Sequence, residues 1–159
     1  MDVFDSNIWI FGLTQTCEEA VSLVNKAIES AYHVGVSAYI FEEVMHNLQR
    51  SDHDQEIIER VQTRFADIVY GNPTIHGPTQ TEIREIDLNT VRQDPRVQAM
   101  GEAFDIQNKD VPVVVFARQC AHPQDTPEVV IHTADREFSR FNPQQYFENI
   151  AIRYVDCSP

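Results

Sequence analysis

The chain is expected to fold as an α/β protein with a central parallel sheet, and three observations carry that expectation. Short strand-like runs at Val3-Phe4, His33–Val36, Val129–Thr133 and Ile150–Val155 alternate with longer segments of helical periodicity, the rhythm of strands returning through crossover helices. Val129-Val130-Ile131 is apolar without alternation, as in a strand buried on both faces. Acidic residues stand where strands give way to loops or helices, at Asp5 and Asp135 and again at Asp110 and Glu43. The 159 residues, 42% of them hydrophobic, suit one domain spanning 1–159 with a single core.

Taken in order, Val3-Phe4-Asp5 reads as a buried strand ending at a Ser6-Asn7 turn, with Ile8, Trp9 and Ile10 continuing the core. Thr16 caps a helix to about Tyr32, with Glu18 and Glu19 at its positive end and Ala20, Leu23, Val24, Ala27 and Ile28 on one face. Ser37 caps the next helix, through Phe41, Val44, Met45 and Leu48, and Asp54 to Val69 forms another. Between Tyr70 and Asp94 the turn formers Gly71, Asn72, Pro73, Gly77 and Pro78 leave one short strand near Ile83 to Leu88. Helices follow over Arg96 to Phe104 and from Asp110, where Pro112 fits a first turn that needs no N–H. Arg136 to Phe141 is a short helical turn before the last strand.

Composition excludes several classes. No run reaches membrane-spanning length, and the N-terminal MDVFDSNIWIFGL lacks the basic flank of a signal peptide. Cys17, Cys120 and Cys157 are odd in number, far apart and without a CxxC pair, so reduced thiols and a cytoplasmic location are expected rather than a disulfide or zinc site. The six histidines form no HxH or HExxH array, and the five glycines no phosphate-binding loop. Glu43-Val44-Met45-His46 is a single Glu-x-x-His, too little for a di-iron bundle. Trp9 and Phe11 are expected in the core rather than stacked on bases. A net charge of −13 with only two lysines, Lys26 and Lys109, should repel nucleic acid in dilute buffer; it fits a salt-adapted, halophilic host in which such repulsion is screened.

If the strands are parallel, their carboxyl ends share a crevice, and Asp5, Glu43, Asp110 and Asp135 converge there. Like charges so close resist joint ionisation, and a divalent cation relieves them; oxygen-only ligands select hard Mg²⁺ or Mn²⁺. Each acid has a structural alternative. Asp5 suits an Asx turn, Asp110 and Asp135 suit helix caps, and Glu42 competes with Glu43. Asp2 and Asp105 are expected at the surface. Arg92, Arg96, Arg118, Arg136 and Arg140 are the cations available for a phosphate backbone, or for pairing with surface carboxylates.

In order and spacing, DSNIW at Asp5, EEV at Glu43, KDVPVVVFA at Asp110 and TADREF at Asp135 resemble the PIN-domain family of metal-dependent ribonucleases across nearly the whole chain. The resemblance implies a three-layer α/β/α sandwich, with Asp5, Glu43, Asp110 and Asp135 as the Mg²⁺- or Mn²⁺-binding carboxylates. Asn7 and Thr133 become candidates for orienting a ligand or bound water, and Glu137 for a water-mediated ligand. It further implies an endoribonuclease acting through metal-activated water, with VapC-type toxins among its relatives, hence an RNA substrate, a cognate antitoxin and a homodimer. One alternative is a non-catalytic PIN-like module that binds RNA or protein. Another is a phosphohydrolase on a similar sheet, against which Asn7 stands where a second Asp would be expected.

Overall fold

The computed structural model describes residues 1–121 and 128–158. Strands β1 (Asp2–Phe4), β2 (Val34–Gly35), β3 (Ile75–His76), β4 (Val129–Thr133) and β5 (Ile150–Tyr154) form one all-parallel sheet in the order β3-β2-β1-β4-β5. Between them run α1 (Ser6–Leu13), α2 (Glu18–Ile28), α3 (Ala38–Gln49), α4 (Gln55–Gly71), α5 (Gln80–Glu85), α6 (Leu88–Gln93), α7 (Pro95–Phe104), α8 (Val111–Cys120) and α9 (Arg136–Ser139). The α/β architecture with a parallel sheet is therefore as expected. The chain walks outward from β1 to β3 and then returns past β1 to β4, so the strand order reverses between β1 and β4. That switch point opens a crevice at the carboxyl ends of the two central strands.

Burial explains why these segments take these forms. Val3, Phe4, Val129 and Ile131 are wholly buried, as central parallel strands covered on both faces require. Trp9 is also wholly buried, its ring against Phe4 and Phe65, so α1 and α4 pack over β1 through one aromatic cluster. Gly12 lets α1 and α2 touch: a Cβ there would lie 2.9 Å from the Ala20 carbonyl oxygen and collide with Val24. No helix among the described residues is long and apolar enough to cross a membrane.

Four expectations need correction. The residues after Asp5 are helix α1 rather than a turn leading into more core strand; their lack of periodicity reflects burial on several sides. The second helix is shorter than expected, starting after Cys17 and ending at Ile28. No strand lies at Ile83 to Leu88. That segment holds the end of α5, started by a Thr79–Glu82 capping box, and the beginning of α6, capped by Asp87, while the extra strand is the two-residue β3. Lastly, Cys17 and Cys157 form a disulfide, leaving Cys120 free. The pairing is invisible to spacing because the partners are 140 residues apart and meet only when the tail after β5 lies against the start of α2.

A crosslink closing so long a loop contributes about 3–5 kcal/mol in the chain-entropy account. Reducing it with a phosphine, or replacing both cysteines by serine, should lower the thermal midpoint by roughly 10 °C or more for a domain of this size. An unchanged midpoint after verified reduction would contradict a stabilising bond.

Candidate functional site

Each acid enters the crevice from a different element. Asp5 immediately follows β1 and precedes α1; its Oδ1 accepts a 2.8 Å bond from the Ser6 amide, and its Oδ2 accepts one of 2.8 Å from Thr133 Oγ1 at the end of β4. Thr133 Oγ1 in turn accepts from the Asp135 amide at 3.1 Å. Asn7 Oδ1 accepts from the Ala134 amide at 3.1 Å, which turns Asn7 Nδ2 towards Asp5 Oδ2 and Thr133 Oγ1, 3.4 Å from each. Asn7 and Thr133 thus fix the Asp5 carboxylate and staple β1 to β4 at the switch point.

Glu43 points inward from the buried face of α3, while Glu42 is half-exposed on another face. Two donors hold Glu43, and the Tyr39 hydroxyl lies beside it. Ser6 Oγ donates to Oε1 at 2.6 Å, and Arg92 Nη2 and the Tyr39 hydroxyl approach Oε2 at 2.6 Å and 3.2 Å. The Tyr39 hydroxyl has one proton, and its shorter contact is the Lys109 carbonyl at 2.7 Å; Arg92 Nε donates to the same hydroxyl at 2.9 Å. Tyr39 therefore ties α3, α6 and the turn before α8 into one scaffold.

Asp135 divides its two oxygens. Oδ1 caps α9 by accepting from the Glu137 and Phe138 amides at 3.0 Å and 3.2 Å, and Oδ2 lies 3.6 Å from Lys109 Nζ. The cap and the place in the crevice are compatible rather than competing. Asp110 behaves otherwise. It stands at the N-cap position of α8, yet its side chain makes no capping bond and has no hydrogen-bond partner among the described residues, although it is only 4% exposed. Glu137 turns outward; it is exposed, and only its amide takes part.

The four acids feel one another. Burial, and then the Glu43 charge, push the Asp5 carboxyl up to about 6. Burial, and then Asp5, push Asp110 up to about 7, with Lys109 opposing and Asp135 and Glu43 adding. In both, burial is the larger cause and the neighbouring acids add to it. Among the described residues no three His, Cys, Asp or Glu side chains stand close enough to form a ready-made metal shell. The donor chemistry nevertheless fits a hard divalent cation: the candidate donor atoms are all carboxylate oxygens, two of the carboxyls resist ionisation, and Asp110 is buried with no hydrogen-bond partner among the described residues.

The sequence reading named the four acids together with Asn7, Thr133 and Glu137, and all but Glu137 come together here. Tyr39 and Lys109 were not singled out, and Ser6 had no role assigned. Arg92, for which a phosphate backbone and pairing with a carboxylate were both open, is paired with Glu43. A signal for Lys109 did exist, since a lysine directly before a candidate ligand is conspicuous in a chain with two lysines.

No protein-family model and no curated sequence matches the chain. A solved structure does resemble it. VapBC2 from Rickettsia felis, bound to a DNA fragment from their promoter, contains a chain that aligns over 98% of both chains with a TM-score of 0.54 at 11% identity. At that identity the likeness is one of fold, and the fold is PIN-like.

Because folding raises the proton affinity of Asp5 and Asp110, the stability these groups allow is greatest below the ordinary carboxylate range and is lost as pH rises through about 6 and 7. In EDTA, stability should therefore fall between about pH 4 and about pH 7, and Asp110→Asn should flatten the fall and gain about 1–2 kcal/mol at the upper end. Denaturant melts across that range test this. A slope as steep in the variant as in the wild type would contradict it.

Proposed function

We propose that this protein is a Mg²⁺- or Mn²⁺-dependent endoribonuclease, the toxin of a toxin–antitoxin pair. The observation that carries the reading is Asp110, a carboxyl only 4% exposed that has no hydrogen-bond partner among the described residues, pushed up to about 7 beside Asp5 at about 6. The four motifs that resemble the PIN family, and the fold shared with a chain of the VapBC2 structure, add to it. A crevice at the carboxyl ends of parallel strands is where a ligand is expected, and RNA is the substrate that the motif resemblance implies.

Asp5, Asp110 and Asp135 would hold the ion, with Glu43 beside them. A divalent ion bound by carboxylates supplies a water acidic enough to attack near neutral pH and neutralises the charge developing on a phosphate. The chain's own residues keep this set in register. Thr133 and Asn7 hold the Asp5 carboxylate, and Ser6, Tyr39 and Arg92 fix the Glu43 rotamer, so ligand positions are set before substrate arrives. A net charge of −13 resists RNA at low ionic strength, so activity is expected in high KCl, in keeping with a salt-adapted host. The same reading assigns a cognate antitoxin, a homodimer and a cytoplasmic site of action.

One observation favours a second reading, a PIN-like module that binds without cleaving: Arg92 already neutralises Glu43. Incubating labelled RNAs in high KCl with Mn²⁺, Mg²⁺ or EDTA separates the two. Wild type should cleave only with metal. Asp5→Asn and Asp110→Asn should abolish cleavage while remaining folded, and Thr133→Val should slow it by about 10–100-fold. Cleavage surviving in either Asp variant would refute the site assignment, and RNA binding without cleavage in any condition would hand the protein to the second reading.

A further inference from the structure

A hollow of about 180 Å³ lies between α3 and α6, beside the crevice. Its walls carry Glu42 and His46 from α3, Asp87 and Asn89 from the start of α6, and Arg92 from the far end of α6, with the buried Leu88 among them. Glu42 and His46 stand one turn apart and share a face of α3. Arg92 belongs to both places. Its Nη2 donates to Glu43 in the crevice at 2.6 Å and its Nε to the Tyr39 hydroxyl at 2.9 Å, while the residue also borders the hollow, with 28% of its side chain exposed. Held at two nitrogens, its guanidinium is a fixed plane. The other polar groups are unengaged. Among the described residues, the side chains of Glu42, His46 and Asn89 take part in no hydrogen bond or ion pair, and Asp87 uses only Oδ1, which caps α6 by accepting from the Thr90 amide at 2.9 Å. The hollow is smaller than the roughly 300 Å³ at which sites for drug-sized ligands begin, so it suits a single ring system.

We propose that this hollow is a nucleobase subsite selective for guanine, in which Glu42 binds the base edge and Arg92 supplies the stacking plane. The choice of an RNA base as occupant rests on the RNA-cleaving reading of the crevice. Unpaired bases are recognised by stacking on arginine planes and by hydrogen bonds to their edges. Guanine presents N1–H beside its exocyclic N2 amine, two parallel donors that one carboxylate accepts together. Cytosine and adenine offer one amine at that edge, and uracil offers none. Glu42, with both oxygens open, is the acceptor for the guanine pair, and Asn89 stands by for the rest of the edge. A basic side chain of a protein partner would also meet Glu42 and Asp87, but it would bring its charge against Arg92, whereas a neutral base stacks there without repulsion. Because Arg92 joins the hollow to the crevice, a guanine bound here lies close to the bond that is cut. Glu42 thereby selects the site of cleavage and leaves the chemistry to the crevice.

Two measurements on the full chain in high KCl test this, with thermal melts to verify that each variant is folded. Given Mn²⁺ and a pool of random-sequence RNA, wild type should cut with guanine enriched at one fixed position near the scission. Glu42→Gln, which keeps the size but replaces one acceptor oxygen by a donor, should still cut and lose that enrichment by about tenfold, the size of one bidentate base contact. Equal enrichment in Glu42→Gln and wild type, or cutting by wild type without base preference, would overturn the proposal and leave the nuclease standing. The second measurement needs no turnover: in NMR spectra, 5′-GMP should shift the Asn89 side-chain amide and the Leu88 methyls of wild type but not of Glu42→Gln, and 5′-UMP should shift neither. Such shifts without cleavage of any RNA would support the guanine site and overturn the nuclease reading. Equal shifts from both nucleotides, or none from 5′-GMP, would overturn the proposal, and displacement of 5′-GMP by a lower concentration of arginine amide would overturn it in favour of a basic peptide.

Discussion

Mutual repulsion among buried carboxylates is the constraint around which this protein is built. Asp5, Glu43 and Asp110 are each less than a tenth exposed, and the elements that bring them together, β1, α3 and α8, do so only because other groups keep the site from flying apart. Ser6 and Thr133 donate to the acids, Arg92 is spent on Glu43, and Lys109 stands among all four. Even so, two carboxyls remain reluctant to ionise. A chain selected for stability alone would have apolar residues at those positions, since replacing poorly compensated buried charges by packed hydrophobes is commonly neutral or stabilising. Retaining them makes sense where a cation arrives to complete the balance.

The rest of the fold follows from that need. A crevice that gathers acidic side chains from distant parts of the chain requires rigid supports, and the parallel sheet supplies them, with Phe4 and Ile131 buried along its centre and Trp9 and Phe65 clamping α1 to α4. The reversal of strand order between β1 and β4 leaves their carboxyl ends open, and Thr133 bridges that gap by bonding Asp5 across it. The Tyr39 hydroxyl connects the remaining pieces, joining the helix of Glu43 to the turn that carries Lys109 and Asp110. Stability and function thus pull in opposite directions at one place, while the core some residues away supports both.

How much of this could be read in the sequence depends on the range of the physics involved. Strands such as Val129–Thr133 and helices such as Ala38–Gln49 were legible, because burial on both faces gives a continuous apolar run and burial on one face gives a helical period. The helix after Asp5 was not, because SNIWIFGL is apolar on most sides and carries no period. The short helices α5 and α6 were passed over in a polar stretch despite the Thr79–Glu82 capping box and the Asp87 cap. Asp5 and Asp135 were legible as strand ends, whereas Glu43, inside α3, and Asp110, between α7 and α8, stand away from any strand end and were legible only through their motifs. Their partners were not: Tyr39 and Arg92 are 53 residues apart, and nothing local marks them as a pair. Nor does anything local join Cys17 to Cys157. Contacts of that range appear only once the topology is known.

The measurement that bears most directly on the central claim is anomalous diffraction from crystals soaked in Mn²⁺ at near-neutral pH. A metal in contact with Asp5 and Asp110, giving the Asp110 carboxylate the partner it lacks among the described residues, is the predicted result. Density for Mn²⁺ elsewhere on the surface with none between those two carboxylates, in crystals whose crevice is open to solvent, would contradict the account.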